Sequence, residues 1–364
     1  MAYSTIPKNK DHYDSIHYVG NGYSGSTAKT VNTTNSFRPD WVWVKNMDQG
    51  SRHWHSQDST SGETKWLALD DNDAFNTESD WTFDFESTGI SIPNSSNRTN
   101  TSSENFITAM FKANGGTTSS NTNGSITSTV QANQTAGFSI VTWTGTGSAG
   151  TIGHGLSTKP DWIFVKRTSA TEWWQIYCSR INSDDSSSFS TDPETDYIEL
   201  GYDDSQIGDN ANRWNDTAPT TSVFSVGTHA GVNNSSDTYV AYCISAVQGF
   251  SHVGLYRGNG TNNSSFVYTG GKPKTLWIKS TSTQDWILVD DKMNFNRQSG
   301  SVPQYFMKPE NEDAKQTGSR VEFRANGFKV VTSNAEVGDG YKYIYLAMLE
   351  EPLVSSNGVP ATAK

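Results

Sequence analysis

"FRPDWVWVKNMDQGSRHWH", residues 37–55, decides how this chain reads, because the chain writes a version of it three times. "TKPDWIFVKRTSATEWWQIY" occupies residues 158–177 and "GKPKTLWIKSTSTQDWILV" residues 271–289. In each, a proline (Pro39, Pro160, Pro273) leads into a run that ends in a lysine (Lys45, Lys166, Lys279), and a second run carries Trp54, Trp174 or Trp286. Proline biases the chain around it toward extended backbone. Side chains of a strand alternate between faces. Val42 and Val44 therefore oppose Trp41, Trp43 and Lys45; Ile163 and Val165 oppose Trp162, Phe164 and Lys166; Leu276 and Ile278 oppose Thr275, Trp277 and Lys279. The aliphatic face belongs to a core. The face carrying aromatics and lysine has two readings: a cover for the other side of the sheet, or a platform for a ligand.

Working outward, each copy opens on an aromatic and a glycine pair: "YVGNG" at Tyr18–Gly22, "WTGTG" at Trp143–Gly147 and "YRGNG" at Tyr256–Gly260. A third strand-like piece follows the hairpin ("WLALDDND", "YIELGYDD", "YFMKPENED"), and each copy closes on an aromatic alternation ("NFITAMF", "TYVAYCI", "KYIYLAML"). One opening, four or five strands and one close take about 100 residues. That is the length of a β-sandwich domain and exceeds a solenoid repeat or a propeller blade. Val, Ile, Thr, Tyr and Trp fill the runs, and Gly, Asn, Asp, Ser and Pro punctuate them, as in all-β proteins. The expected fold is all-β, three tandem β-sandwich, jelly-roll-like repeats: residues 1–114, 137–248 and 249–364. Residues 115–136, rich in Ser, Thr, Asn and Gly, read as a linker, with "SITSTV" able to form an edge strand. The short join between the second and third copies predicts a rigid pair with the first copy set apart. The unequal connectors argue against a three-fold arrangement of the copies.

Composition narrows the function. The formal net charge of −11 lacks the basic stripe that a nucleic-acid partner requires. Twelve Trp, 15 Tyr and 16 Phe are too many aromatics for a disordered chain. The N-terminus has no apolar signal core, and no apolar run reaches the ~20 residues of a membrane span. A protein assembled in a cytoplasm, without membrane insertion, is expected. Cys178 and Cys243 are too few for a disulfide framework and read first as buried free thiols, with pairing left open.

Candidate chemistry is sparse. Trp43 with Lys45 and Trp277 with Lys279 present a ring beside a cation, the pattern of a sugar platform, and Trp173 and Tyr177, alternating against Trp174, Ile176 and Cys178, are binding candidates as exposed aromatics. Structurally the same rings could cover a sheet while lysine extends along them. Acidic residues recur after the third piece (Asp70, Asp71 and Asp73; Asp203 and Asp204; Glu310, Glu312 and Asp313), but without a fixed calcium-loop spacing, so they read as solvated turn acids. "HWH", His53 to His55, places two imidazoles on one face without an evident third ligand. No nucleophile elbow, zinc-protease motif or phosphate loop is present, and the "GNG" turns precede no helix. No catalytic residue, metal or cofactor is expected. A carboxylate pair for glycoside hydrolysis is not singled out among 38 acids.

The blocks "YVGNG…FRPDWVWVK", "NGSITSTVQANQTAGFSIVTWTGTG…GHGLSTKPDWIFVK", "WNDTAPTTSVFSVG…NNSSDTYVAYC" and "QGFSHVGLYRGNG…FVYTG" together resemble a repeated β domain of unknown function. It is found mainly in marine tailed bacteriophages, in proteins called tail fibre or virion structural proteins. The resemblance covers nearly the whole chain, most specifically residues 124–267, and carries no catalytic residues. It implies a virion component: a tail fibre, tail-tip or receptor-binding subunit, homo-oligomeric, bound to other virion proteins and contacting host cell-surface carbohydrate. The alternatives are a capsid head-fibre or decoration protein and a polysaccharide depolymerase. The absence of heptads or a collagen-like shaft leaves tail and head both open, with the tail preferred.

Overall fold

The computed structural model describes residues 8–22, 28–78, 80–93, 96–181, 192–201, 208–263, 265–294, 305–350, 353–354 and 360–361. Asp203 and Asp204, named above among the recurrent acids, lie outside them. Three large antiparallel sheets organise the chain. The first runs Tyr13–Val19, Asn105–Phe111, Trp41–Asn46, His55–Asp58, Leu67–Ala68. The second has the central order Phe138–Thr144, Thr238–Ile244, Trp162–Arg167, Trp174–Cys178, Asp196–Leu200, extended by Gly208–Asp209 at one side and by Ser128–Asn133 and Ser119–Asn121 at the other. The third runs Ser251–Arg257, Lys342–Leu349, Pro273–Ser280, Trp286–Asp290. In all three the opening strand pairs with the closing strand, which pairs in turn with the proline-led strand.

Register explains the opening motif. Tyr18 faces Phe106, Trp143 faces Tyr239 and Tyr256 faces Tyr343. Each pair is stacked, with centroids 5.1, 5.2 and 5.0 Å apart. The first glycine of the motif follows because a Cβ at Gly20 or Gly258 would overlap the carbonyl of Thr101 or Asp339. Aromatic pair and tight turn together lock the ends of two non-consecutive strands.

Each large sheet packs its aliphatic face on a smaller one. Val42 and Val44 meet Val31, Phe85 and Ile90; Ile163 and Val165 meet Ile152 and Phe224; Leu276 and Ile278 meet Val267 and Phe328. The smaller partners are Lys29–Asn32, Gly89–Ile92 and Asp84–Glu86; Gly150–Gly153 and Val223–Val226; and Phe266–Tyr268, Gly327–Val330 and Val321–Arg324. The architecture is all-β and built of sandwiches. Among the described residues the α-helices are the single turns Ala211–Trp214 and Ala230–Asn233.

The opposite faces of the three large sheets meet one another. Trp41, Trp43 and Trp54 of the first, Trp162, Phe164, Trp174 and Tyr242 of the second, and Trp277 and Trp286 of the third form one core. Trp41 stacks on Tyr242 at 4.1 Å, Trp43 meets Trp277 edge-on at 6.3 Å, and Trp162 meets Trp286 at 6.1 Å. An aromatic side chain buries about 150–250 Å², which at ~25 cal/mol/Å² amounts to about 4–6 kcal/mol each. No sheet could leave that face in water. Two expectations are therefore corrected. The first sandwich is not set apart, and the three sandwiches close round a common centre despite their unequal connectors.

Residues 115–136 are not a linker. Ser128–Asn133 pairs along its whole length with Phe138–Thr144, and Ser119–Asn121 pairs with it in turn. Polar composition hides the pattern. Ile126 and Val130 enter the second sandwich core, and Gln131 donates to the hydroxyls of Ser59 (3.0 Å) and Thr60 (2.6 Å) of the first. Exposed positions supply most of the Ser and Thr, and a few buried ones, Ser128 among them, fix the strand.

Candidate functional site

Most residues with the look of a ligand platform belong to the seams between sandwiches. Lys45, Lys166 and Lys279 are each 0% exposed. Lys45 Nζ donates to the carbonyls of Arg52 (2.5 Å) and of Glu312 in the third sandwich (2.7 Å). Lys166 Nζ donates to Asn72 of the first sandwich (2.8 Å) and to Glu172. Lys279 Nζ donates to Ser280 (3.1 Å) and Ser282 (2.9 Å). Burial pushes Lys45 down to about 8 and Lys166 to about 7, against nearby carboxylates that raise both.

The tryptophan indoles do the same work. Trp54 Nε1 donates to Lys308 (3.2 Å) and Asn311 (3.0 Å), Trp174 to Ala68 (2.8 Å) and Trp286 to Glu199 (3.2 Å). The first sandwich thus holds the third, the second holds the first and the third holds the second, a closed ring. Backbone carbonyls in a dry seam need donors, and a buried ammonium with three N–H groups satisfies several at once.

The expected platform is corrected accordingly. Trp43 and Trp277 are sealed in the central core, with Lys45 and Lys279 beside them. Tyr177 is 2% exposed and meets Trp214 edge-on inside the second sandwich. Its strand is covered on both faces, so alternation could not expose it. Trp173 is half-buried, with its ring against Gly201. Cys178 and Cys243 are free and buried, and face different cores. Burial raises both thiols to about 12.

The two histidines of "HWH" have different fates. His55 stacks on Trp66 at 4.8 Å, and burial lowers it to about 3. His53 bridges two sandwiches, with Nδ1 3.2 Å from Asp70 and Nε2 2.9 Å from Glu312. The Asp70 hydrogen bond first, and then the two carboxylate charges, raise its pKa against burial. Ligand atoms of His53, Asp70 and Glu312 lie within 4.8 Å of one another, a donor set a divalent cation accepts. Lys45 and Arg98 already stand in the field of the same carboxylates, and the His53 ring itself lies between Asp70 and Glu312. The third partner was invisible in sequence because it comes from another sandwich.

A second polar cluster closes the seam of the first and third sandwiches. Tyr13 and Asp290 both hydrogen-bond Thr275, Ser15 donates to Asp290 (3.0 Å), and Lys274 pairs with Asp14. Burial, then the Asp291 charge, raises Asp290 to about 7. A cavity of about 130 Å³ remains beside it.

A groove of about 620 Å³ opens between the Ser251–Arg257 edge strand and the Phe266–Tyr268 strand, with Arg180 of the second sandwich at its side. The reading of sequence missed it. Its signal was the alternation "FVY", which sends Val267 into the core and Phe266 and Tyr268 outward at 51% and 63% exposure.

Fold and sites define an all-β protein of three sandwiches tied round one aromatic centre, with an aromatic and basic groove among the described residues. Residues 8–352 match the family model described as "Domain of unknown function (DUF7483)", and the chain belongs to that family. No curated protein and no solved structure matches it.

Proposed function

We propose that this chain is a structural component of a tailed-phage virion, a tail-fibre or tail-tip subunit that binds host-surface glycan and carries out no catalysis. In this reading the three sandwiches are copies of one unit that closed into a ring within a single chain. The protein works as a homo-oligomer with other virion proteins, away from nucleic acid and outside any membrane.

The observation that carries the reading is how the chemical groups are used. Buried Lys45 and Lys166, the indoles and the His53 carboxylate pair hold sandwich to sandwich, while aromatic and cationic side chains are left at an open groove. A rigid, self-tied body with an exposed recognition surface suits attachment, where many weak sites act together through avidity. The resemblance of the quoted blocks to phage virion proteins supports that location.

Immunogold electron microscopy of the parent virion, with antibody against this chain, tests the reading. Gold at the tail is expected. Gold over the head would replace the fibre by a capsid decoration protein, and unlabelled virions would refute both. Sustained release of reducing ends from host polysaccharide would refute the absence of catalysis.

A further inference from the structure

The three seams differ in how they are closed. Between the first and third sandwiches, Ser15, Tyr13 and Asp14 of the opening strand reach Asp290, Thr275 and Lys274 of the next hairpin. Between the second and first, Tyr242 donates to Asp58 (2.9 Å), and Ser128–Asn133 lies along the outer edge of the opening strand. Between the third and second, Ser251–Arg257 has no strand on its outer edge among the described residues. That is where the groove opens.

Its wall is built. Tyr345 OH hydrogen-bonds His252 Nδ1 (3.0 Å) and the Tyr268 carbonyl (3.3 Å), and the two rings of Tyr345 and His252 stack at 5.7 Å. Gly254 makes room for that phenol, which any Cβ there would overlap. Phe266 and Tyr268, two residues apart on one strand, present rings on the same side, about 7 Å apart along the chain. Exposed Arg180 and Arg257 flank them. No acidic side chain lines the groove among the described residues. The acid whose charge reaches His252, Asp161, is engaged by Ser179 Oγ (3.0 Å) and the Ala246 amide (2.9 Å). In a chain with 38 acidic and 27 basic residues, a groove with two guanidinium groups and no carboxylate selects anions. Ring faces select the C–H faces of a sugar.

We infer that the groove flanked by Arg180, Arg257, Phe266 and Tyr268 binds an acidic saccharide, one bearing carboxylate or sulfate groups. This rests on the glycan-binding reading above and places it at one seam. Two cations are too few to hold a nucleic-acid strand, whose affinity depends on neutralising many phosphates.

The test titrates the full chain by calorimetry with tetragalacturonate, a sulfated chondroitin tetrasaccharide, maltotetraose and a short single-stranded oligonucleotide. At least one acidic saccharide should bind, more weakly as salt rises, and the neutral sugar should bind less. Tyr268→Ala should weaken binding by about tenfold, the loss of one stacking contact of about 1.4 kcal/mol. Arg180→Ala with Arg257→Ala should abolish the preference for acidic over neutral sugar. All three side chains are exposed, so unchanged melting temperatures will show that the fold is kept. Absence of saccharide binding, preference for maltotetraose or the oligonucleotide, or indifference to these substitutions each overturns the inference. None of those results moves the gold label on the virion, so this inference and the virion reading fail separately.

Discussion

Replacing Trp41 by Ala tests whether the sandwiches are one body. Trp41 is 1% exposed, stacks on Tyr242 at 4.1 Å and on Phe111 at 4.7 Å, and donates from Nε1 to Ser56 (2.9 Å). Truncating such a tryptophan costs about 3–5 kcal/mol. The melting temperature converts that cost according to how much of the chain unfolds together. At about 2.1 cal/mol/K per residue, the stretch 8–352 that matches the family model has an unfolding entropy near 0.7 kcal/mol/K, so a loss of about 4 kcal/mol lowers Tm by about 6 °C. Were the first sandwich to unfold alone, about 100 residues give about 0.2 kcal/mol/K and a fall of about 19 °C in one transition, the others unmoved. Scanning calorimetry separates these outcomes. We expect one endotherm, displaced as a whole by about 6 °C with equal calorimetric and van't Hoff enthalpies. Separate endotherms, with only one of them shifted by 15 °C or more, would refute the shared core.

Other outcomes follow from the seams. Because burial holds Lys166 near 7, the unfolded chain keeps a proton that the folded chain releases, so this residue makes stability rise with pH from about 7 toward the ordinary lysine value. Lys166→Met should lower urea stability by about 1–3 kcal/mol at pH 7, and the gap should widen at pH 9.5; a gap independent of pH would count against the buried charge. His53 has a raised pKa, so its bridge to Asp70 and Glu312 is fully present below pH 6.5 and is lost as pH rises through the folded value. His53→Gln should flatten the stability profile between about pH 6 and 8, and an unaltered profile would mean that the His53 bridge does not set the slope. Replacing residues 119–133 with a Gly-Ser stretch of equal length should cost about 3–6 kcal/mol through Ile126 and Val130 alone, whereas a true linker would tolerate the exchange.

Alternation in "WVWVK", "WIFVK" and "LWIK" is a property of neighbouring residues, and by itself it determined the strands, the all-β class and the aliphatic cores containing Val42, Ile163 and Leu276. The aromatic face is a different matter. A period of two says that Trp43 and Lys45 share a side, but what lies across that side comes from residues more than 200 positions away, such as Trp277 and Glu312. The same limit hid the groove, since Arg180 meets Tyr345 and Tyr268 only when two sandwiches close on each other. Linker-like composition concealed Ser128–Asn133 because a strand can be mostly polar and still pair through its backbone, here with a strand on each side. Local steric and hydrophobic patterning is written residue by residue. Burial of a lysine, and the choice of which seam stays open, are decided by long-range packing, where the carbonyls and rings of one sandwich complete the environment of another.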